Sequence, residues 1–195
     1  MSLIFFDFES GGLLPHQPEI QLAAIAVSSD WKELESGEWK IQFDEAKADP
    51  EALKLNHYDR KAWADYAVPE TKAVQEFGQF LKRHASIQLI SKRTGNPYSV
   101  ARLAGHNAVT FDGPRLKAMF ERQKAFLPAH PIVMDTLQFA LWESRRRGME
   151  PKSFKLGDLC EALAIPFGAD AHDALYDVRA SIALAKGLMT MEVAA

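Results

Sequence analysis

Two carboxylates interrupt an otherwise apolar stretch at the start of the chain. The segment LIFFDFES, residues 3–10, has the apolar content of a buried strand, yet it contains Asp7 and Glu9. Side chains alternate along a strand, so both acids would lie on one face, with their Cβ atoms about 6.5–7 Å apart. Two like charges that are buried together need a proton, a basic partner or a bound cation. No Lys or Arg precedes Lys32, so this relief must come from elsewhere in the fold or from a metal ion.

Two further segments carry an acid or a histidine that the hydrophobic pattern does not explain. Asp112, in AGHNAVTFDGPRL, stands where a helix is predicted to begin, so it could simply cap that helix. His172 and Asp177, in AHDALYDVRASIALAK, would be roughly 140° apart on one helix. We therefore expect Asp177 on the helix and His172 in the loop before it, from which the imidazole can reach over a site. Taken singly, all these residues could also be exposed strand, cap or solvent-facing positions.

The pattern of predicted strands and helices around these residues leads us to expect one α/β domain over residues 1–195. The chain opens with three predicted strands, at residues 3–10, 20–29 and 38–43, and a polar connection precedes the third. Helices and strands alternate after that. They are short helical pieces within 50–67, a helix at 70–84, two strands over 86–107 with a turn at 95–97, a helix from 112 or 113, a short buried strand at 131–135, and helices at 136–147, 155–165 and 173–189. This order predicts a mixed sheet of about five strands flanked by helices.

The charge of the chain is distributed unevenly along its length. The net formal charge of −3 argues against a protein that coats nucleic acid through bulk positive charge. Residues 82–155 nevertheless hold 14 basic and 5 acidic residues, whereas residues 1–81 hold 7 basic and 15 acidic ones. A basic segment between acidic flanks fits a polyanion held beside a carboxylate site. Chance clustering on a solvated surface would give the same counts.

Composition also bears on location and on redox chemistry. No apolar run approaches the roughly 20 residues of a membrane helix, and the N-terminus lacks a secretory signal pattern. We therefore expect a cytoplasmic protein that does not associate with a membrane. Cys160 is the only cysteine, which excludes an intrachain disulfide and a cysteine zinc cluster. Its helical surroundings, LGDLCEALAI, predict a buried structural thiol.

The order of the three motifs resembles the DEDDh (DnaQ-like) family of 3′–5′ exonucleases. FDFES is similar to the first motif of that family, GHNAVTFDGPRL to the second and AHDALYDVRA to the third, so the likeness covers nearly the whole chain. Within the family, the third motif and the three residues between HN and FD are most similar to nuclease domains of the exonuclease I type. The chain departs from the family pattern at Ser10, where Thr is common, and over residues 85–104, which exceed the usual connection in length.

The resemblance implies a ribonuclease-H-like fold and a site for two divalent cations, Mg²⁺ or Mn²⁺. In that site Asp7 would bridge the two ions. Glu9 and Asp177 would bind the ion on the nucleophile side, and Asp112 the ion on the leaving-group side. His172 would be the general base, because an unperturbed imidazole titrates near neutral pH.

The implied partner is the 3′ end of a nucleic acid, with single-stranded DNA favoured. Substrate contacts are expected at the first and second motifs, where Phe8 or Leu13 would stack on bases, the Gly11-Gly12 turn would let the backbone approach, and His106 and Asn107 would either contact the substrate or bond their own loop. The residues predicted to bind substrate are Phe8, Ser10, Gly11, His106 and Asn107.

Two other functions remain open at this point. One is an exoribonuclease of the ribonuclease T or oligoribonuclease type, and the other is a binding module that kept the fold without the chemistry. The complete set of four carboxylates plus His172 favours an enzyme. Nothing in the sequence identifies a protein partner.

Overall fold

A computed structural model describes residues 2–168 and 173–190 and shows an α/β domain built around a mixed five-stranded sheet. The strands are β1 (Leu3–Ser10), β2 (Glu19–Val27), β3 (Glu33–Lys40), β4 (Ile87–Ile90), β5 (Pro97–Val100), β6 (Leu103–Gly105) and β7 (Met134–Asp135). The central sheet has the order β3-β2-β1-β6-β7, and β4 and β5 pair separately. Strand β1 runs antiparallel to β2 and parallel to β6, and β7 is parallel to β6. The prediction of a mixed sheet of about five strands is confirmed.

Helices cover both faces of this sheet. The even residues of β1, including Phe6, enter the larger hydrophobic cluster with Phe77 and Leu116, whereas Phe5 packs on the opposite face with Val178. The predicted alternation along β1 is therefore confirmed. The helices are α1 (Pro50–Leu55), α2 (Arg60–Tyr66), α3 (Glu70–Arg83), α4 (Asp112–Arg122), α5 (Thr136–Arg147), α6 (Leu156–Ala162) and α7 (Ala174–Thr190).

The third strand lies earlier in the sequence than predicted. Residues 33–37 are part of β3 rather than a polar connection, and Ile41 makes only an isolated bridge, to Val68. An edge strand is held by main-chain hydrogen bonds to one neighbour, and β3 leaves most of its side chains partly or fully exposed, so it needs no apolar alternation. The prediction based on the apolar residues at 38–43 therefore placed the third strand too late in the sequence.

The segment between α3 and α4 contains three strands instead of two. Strands β4 and β5 form a hairpin outside the main sheet, and β6 alone joins that sheet beside β1. This hairpin lies within residues 85–104, the segment that the family resemblance predicts to be longer than usual. The strand predicted over 131–135 is reduced to β7, and 48% of Met134 is exposed because β7 is an edge strand, so the prediction of a buried strand is wrong.

Two further predictions concern the burial of Cys160 and the absence of a membrane helix. The Cys160 side chain is fully buried in α6, and this burial raises the pKa of its thiol to about 11. The burial predicted for this thiol is confirmed. Among residues 2–168 and 173–190, none of the helices combines the length and the apolar character needed to cross a membrane.

Candidate active site

Three carboxylates meet at the end of β1. Asp7 and Glu9 project from the same face of this strand, as the alternation predicts, and Asp177 approaches them from the first turn of α7. One ligand oxygen of each residue lies within 4.8 Å of the other two. Helix α7 packs on the β1 face that carries Phe5, which is why Asp177 reaches this point. The structure thus brings together three of the four acids that the sequence singled out.

Asp112 lines the same cavity, although it is not one of the three acids whose ligand oxygens all lie within 4.8 Å of one another. It is the first residue of α4 and is buried, with Oδ1 accepting a hydrogen bond of 3.2 Å from the Phe8 amide of β1. It does not cap α4, because the N-cap position is Phe111. The cavity has a volume of about 480 Å³, and its other walls come from the start of α5 and the segment before α6, including Leu137, Phe154 and Lys155.

Burial and neighbouring acidic charges make three of these acids, Asp7, Glu9 and Asp112, hard to ionise. Burial, assisted by Asp177, raises the pKa of Glu9 to about 8. Burial also raises the pKa of Asp112 to about 7, although the Phe8 amide and Arg115 oppose the shift. The pKa of Asp7 is raised well above its usual value by burial and by the charges of Asp112 and Glu9. Cations with oxygen preference, such as Mg²⁺ and Mn²⁺, would offset this repulsion, so the donor set fits a divalent metal.

The raised pKa values predict that the metal-free protein loses stability as the pH rises. An acid whose pKa is higher in the folded state than in the unfolded state stabilises the fold fully below its unfolded pKa, near 4 for Asp and Glu. That contribution is lost progressively as the pH rises towards about 8, the value for Glu9. Divalent cations should reverse the loss, raising the melting temperature at pH 8 by about 5–10 °C at saturating concentrations but little at pH 5.

Differential scanning calorimetry of the metal-free protein, with and without Mn²⁺, checks this prediction. A monovalent salt at matched ionic strength is the control, because it screens surface charges without binding the acid cluster. A melting temperature that is the same at pH 5 and pH 8, and that does not respond to Mn²⁺, would contradict it.

The turn after β1 is built for close packing. Ser10 is buried and its Oγ donates to the Gly12 carbonyl over 2.7 Å. A Cβ on Gly11 would come within 2.7 Å of the Ala48 Cβ, and Gly12 has a φ of +143°, which disfavours any larger residue. Substrate contacts are predicted for Ser10 and Gly11, which follow Glu9 directly in the chain. The Gly11 amide donates to the Pro18 carbonyl and the Gly11 carbonyl accepts from the Asp49 amide, each over 2.7 Å. The Ser10 carbonyl accepts from the Asn56 side chain over 2.9 Å.

A buried arginine that was not singled out from the sequence holds this turn in place. The Arg115 guanidinium, on α4, donates to the carbonyls of Gly12, Leu14 and Gln17 at 2.8, 3.1 and 3.2 Å. It also lies 3.6 Å from Glu19. Since α4 carries Asp112 at its start, one helix both supplies an acid to the cavity and fixes the loop beside it.

His106 is held by the protein through both ring nitrogens. Nδ1 lies 2.9 Å from the Thr136 hydroxyl and Nε2 lies 3.0 Å from the Phe154 carbonyl. Burial lowers the pKa of His106, which favours the neutral imidazole. Asn107 has a left-handed backbone and bonds the Thr110 hydroxyl. These contacts favour the loop-bonding alternative for both residues, although both still line the cavity.

Asp135 organises the same loop from the start of α5. Its carboxylate caps the helix by accepting from the Leu137 amide at 2.9 Å, and it also accepts from the amides of Asn107 and Val109. The structure therefore connects the second motif to the start of α5 through one carboxylate.

The two residues considered for base stacking differ greatly in exposure. Phe8 also lines the cavity, but it is only 4% exposed and packs edge-on against Phe6, so its ring offers little surface to a base. This burial argues against the stacking role predicted for Phe8. Leu13, in contrast, is 83% exposed in the turn after β1.

The start of α7 is only partly described. His172 lies outside the described residues, so its position as general base stays a prediction. Its neighbour Asp173 accepts from the Tyr176 amide at 3.1 Å, which is the contact of a capping residue, and from the Gln21 side chain at 3.3 Å. Gln21, buried on β2 next to Glu9, was not singled out from the sequence.

Comparisons with known proteins agree with this geometry. No protein-family model matches the chain. Among solved structures, E. coli exonuclease I in complex with a dT13 oligonucleotide superposes with a TM-score of 0.76 at 22% identity, over 97% of this chain and 41% of that chain. The zinc-bound form of the E. coli exonuclease I complex with single-stranded DNA also gives a TM-score of 0.76, over 97% and 40% of the two chains. The fold is therefore ribonuclease-H-like, and the chain spans about two-fifths of exonuclease I.

One curated protein resembles the chain closely enough to show its family. Ribonuclease T from Actinobacillus pleuropneumoniae serotype 5b (strain L20) is 32% identical over 187 residues, which cover 89% of this chain and 77% of that protein. Both comparisons point to nucleases, and the acids that the three motifs supply converge on one cavity. The chain therefore belongs to the DEDDh, or DnaQ-like, family of 3′–5′ exonucleases.

Proposed function

We propose that the chain hydrolyses phosphodiester bonds one nucleotide at a time from the 3′ end of single-stranded DNA, releasing nucleoside 5′-monophosphates. The observation that carries the proposal is the trio Asp7, Glu9 and Asp177, whose ligand oxygens lie within 4.8 Å of one another in a cavity that Asp112 also lines. An open cavity at the end of β1 suits an unpaired 3′ end of a nucleic acid, which can enter the cavity without melting of a duplex.

The four acids would hold two divalent cations, Mg²⁺ or Mn²⁺. Asp7, Glu9 and Asp177 are the candidates for one ion, with Asp7 shared, and Asp112 is the candidate for the second. When bound, such ions lower the pKa of a water molecule and neutralise the charge that develops on the leaving oxygen. Carboxylates rather than thiolates or imidazoles are suited to these hard cations.

The protein side chains have three tasks in this proposal. Leu13, exposed in the turn that Arg115 fixes, would pack against the terminal base, and Lys155 at the cavity wall would neutralise a phosphate. His172 would accept the proton of the attacking water at a ring nitrogen. None of these contacts reads the identity of a base, so we expect little sequence preference.

RNA is the second candidate substrate, and the similarity to a ribonuclease T favours it. The two candidates share the acids and differ only in whether the site accepts or requires the 2′-hydroxyl of the sugar. The similarity to exonuclease I in complex with a dT13 oligonucleotide favours DNA.

We expect single-stranded DNA to be degraded faster than blunt duplex DNA and faster than RNA of the same sequence. The cleavage rate should fall as salt is raised, because phosphate contacts release counterions. A side-by-side digestion of the three labelled substrates in Mn²⁺ measures this directly. Faster cleavage of the RNA would transfer the proposal to the exoribonuclease alternative, and cleavage of none would support the non-catalytic binding module.

A further inference from the structure

One face of α5 exposes aromatic, apolar and basic side chains together. Trp142 is 75% exposed and Leu141 is 40% exposed, and Gln138 and Arg145 are also exposed. Among the exposed large apolar side chains of the described residues, Trp142 is second only to Leu13, while Ala140 is packed on the other side of the helix. We call the exposed set the α5 track; its residues are Gln138, Leu141, Trp142 and Arg145.

The α5 track is continuous with the candidate active site. Leu137 lines the cavity that contains the acids, and Leu141 and Arg145 follow it at four and eight residues, so they lie about one and two turns further along the same side of α5. Trp142 adjoins this row, one turn beyond Gln138. The row leads away from the cavity for about 12 Å, eight residue rises of a helix.

Charge on and beside the track is positive. Arg146 and Arg147 both pair with Glu143, whereas Arg145 is exposed and makes no ion pair with the described part of the chain. Lys155 lines the cavity. The Lys152 side chain, three residues before Lys155, is 84% exposed. Its Nζ lies 4.0 Å from an Asp158 carboxylate oxygen, a distance at the limit of an ion pair.

An exposed aromatic ring with cations on either side is the combination that binds single-stranded nucleic acid without reading its sequence. The aromatic face stacks on a base of any type, and the cations follow the phosphates. We propose that the α5 track binds the nucleotides immediately upstream of the 3′ end, with Trp142 stacked on a base and Arg145 bound to a phosphate. This proposal rests on the exonuclease function proposed above.

The β4–β5 hairpin is the competing surface. Its turn carries Lys92 and Arg93, and Tyr98 packs against Phe126 with ring centroids 6.1 Å apart. The hairpin precedes β6, however, whose first residue pairs with Ile4 near the start of β1, whereas the acids lie towards the end of that strand. A nucleic-acid strand whose 3′ end lies in the cavity therefore meets α5 before it meets the hairpin.

The test measures how much kcat/KM increases when the substrate is longer. The values of kcat/KM are determined in Mn²⁺ for a thymidine dinucleotide and for a long oligothymidylate, with wild-type protein and with Trp142→Ala and Arg145→Gln. We expect the ratio of kcat/KM for the long substrate to that for the short one to fall about 5- to 150-fold in Trp142→Ala, the range for one lost stacking contact. In Arg145→Gln, the slope of log affinity against log salt should decrease by about 0.7.

Arg93→Gln and Tyr98→Ala are the matched controls, because they remove one cation and one aromatic ring from the hairpin instead. If these controls lower the ratio and the α5 variants do not, the track is wrong and the hairpin is the binding surface. An unchanged ratio in all four variants of an active enzyme also overturns the track while leaving the exonuclease function intact.

A binding measurement keeps the track testable if the proposed function fails. Oligothymidylate added in Ca²⁺ should quench the fluorescence of the wild-type protein. Trp142→Phe should remove most of that quenching, because Trp39 and Trp63 are buried and Trp31 is partly buried against Phe5. Quenching through Trp142 in Ca²⁺, combined with no hydrolysis in Mn²⁺, would support the α5 track and contradict the proposed exonuclease function. Quenching that survives in Trp142→Phe would reject the track.

Discussion

Replacing Asp7 by Asn is expected to lower turnover by more than about 10³-fold while making the metal-free protein more stable. Besides burial, the charges of Asp112, Glu9 and Asp177 all raise the pKa of Asp7, so it is central to the cluster. The amide keeps the shape of the side chain but cannot supply the charge that holds two cations. A loss of about 4 kcal/mol in transition-state stabilisation corresponds to roughly 10³ in rate. Removing one of several like charges relieves repulsion, which stabilises the fold without metal.

Kinetics in Mn²⁺, calorimetric titration of the metal and thermal melting check the three parts of this prediction. Glu38→Gln is the matched control, because Glu38 is an exposed acid that contacts Gln21 near the site but lies outside the cluster. It should keep both turnover and metal affinity. Undiminished turnover in Asp7→Asn would show that the cluster is not the catalytic centre.

The second large effect is expected at His172. If this residue only accepts a proton, His172→Ala should reduce kcat by roughly 10²- to 10⁴-fold and leave Mn²⁺ affinity nearly unchanged. The limb of the pH–rate profile that reports the base, expected near pH 6.5, should disappear as well. Kinetics across pH and calorimetry with Mn²⁺ measure these effects separately.

His57→Asn provides the comparison for that variant. His57 is exposed and has a φ of +51°, a backbone conformation that asparagine tolerates well. Its replacement should therefore change neither kcat nor the metal affinity. A large loss of Mn²⁺ affinity in His172→Ala would instead identify His172 as a ligand.

The acid cluster could be predicted well from the sequence because it depends on local rules. The two-residue alternation of β1 is enough to put Asp7 and Glu9 on one face, and the hydrophobic stripe of α7 determines which side of the sheet meets Asp177. The contact of Asp112 with β1 does not follow from such rules, since it depends on the hydrogen bond that its side chain accepts from the Phe8 amide.

Features that depend on main-chain contacts distant in sequence could not be predicted. Arg115 binds carbonyls about a hundred residues earlier in the chain, and nothing about an arginine in a helix indicates such acceptors. The edge strand β3 is specified by its ladder to β2 rather than by apolar residues, so its pattern was misplaced. The stacking role given to Phe8 rested on its place in the motif, whereas the packing of β1 turns its ring into the core.

Hydrolysis from the 3′ end by the acid cluster is tested most directly by a gel time course. The substrates are 5′-labelled single strands with either a free or a blocked 3′-hydroxyl, incubated in Mn²⁺ with wild-type protein and with Asp7→Asn. We expect the free strand to shorten stepwise from its 3′ end with wild-type protein only, and the blocked strand to persist. Internal cuts, equal degradation of the blocked strand, or an unchanged ladder with Asp7→Asn would contradict the proposed exonuclease.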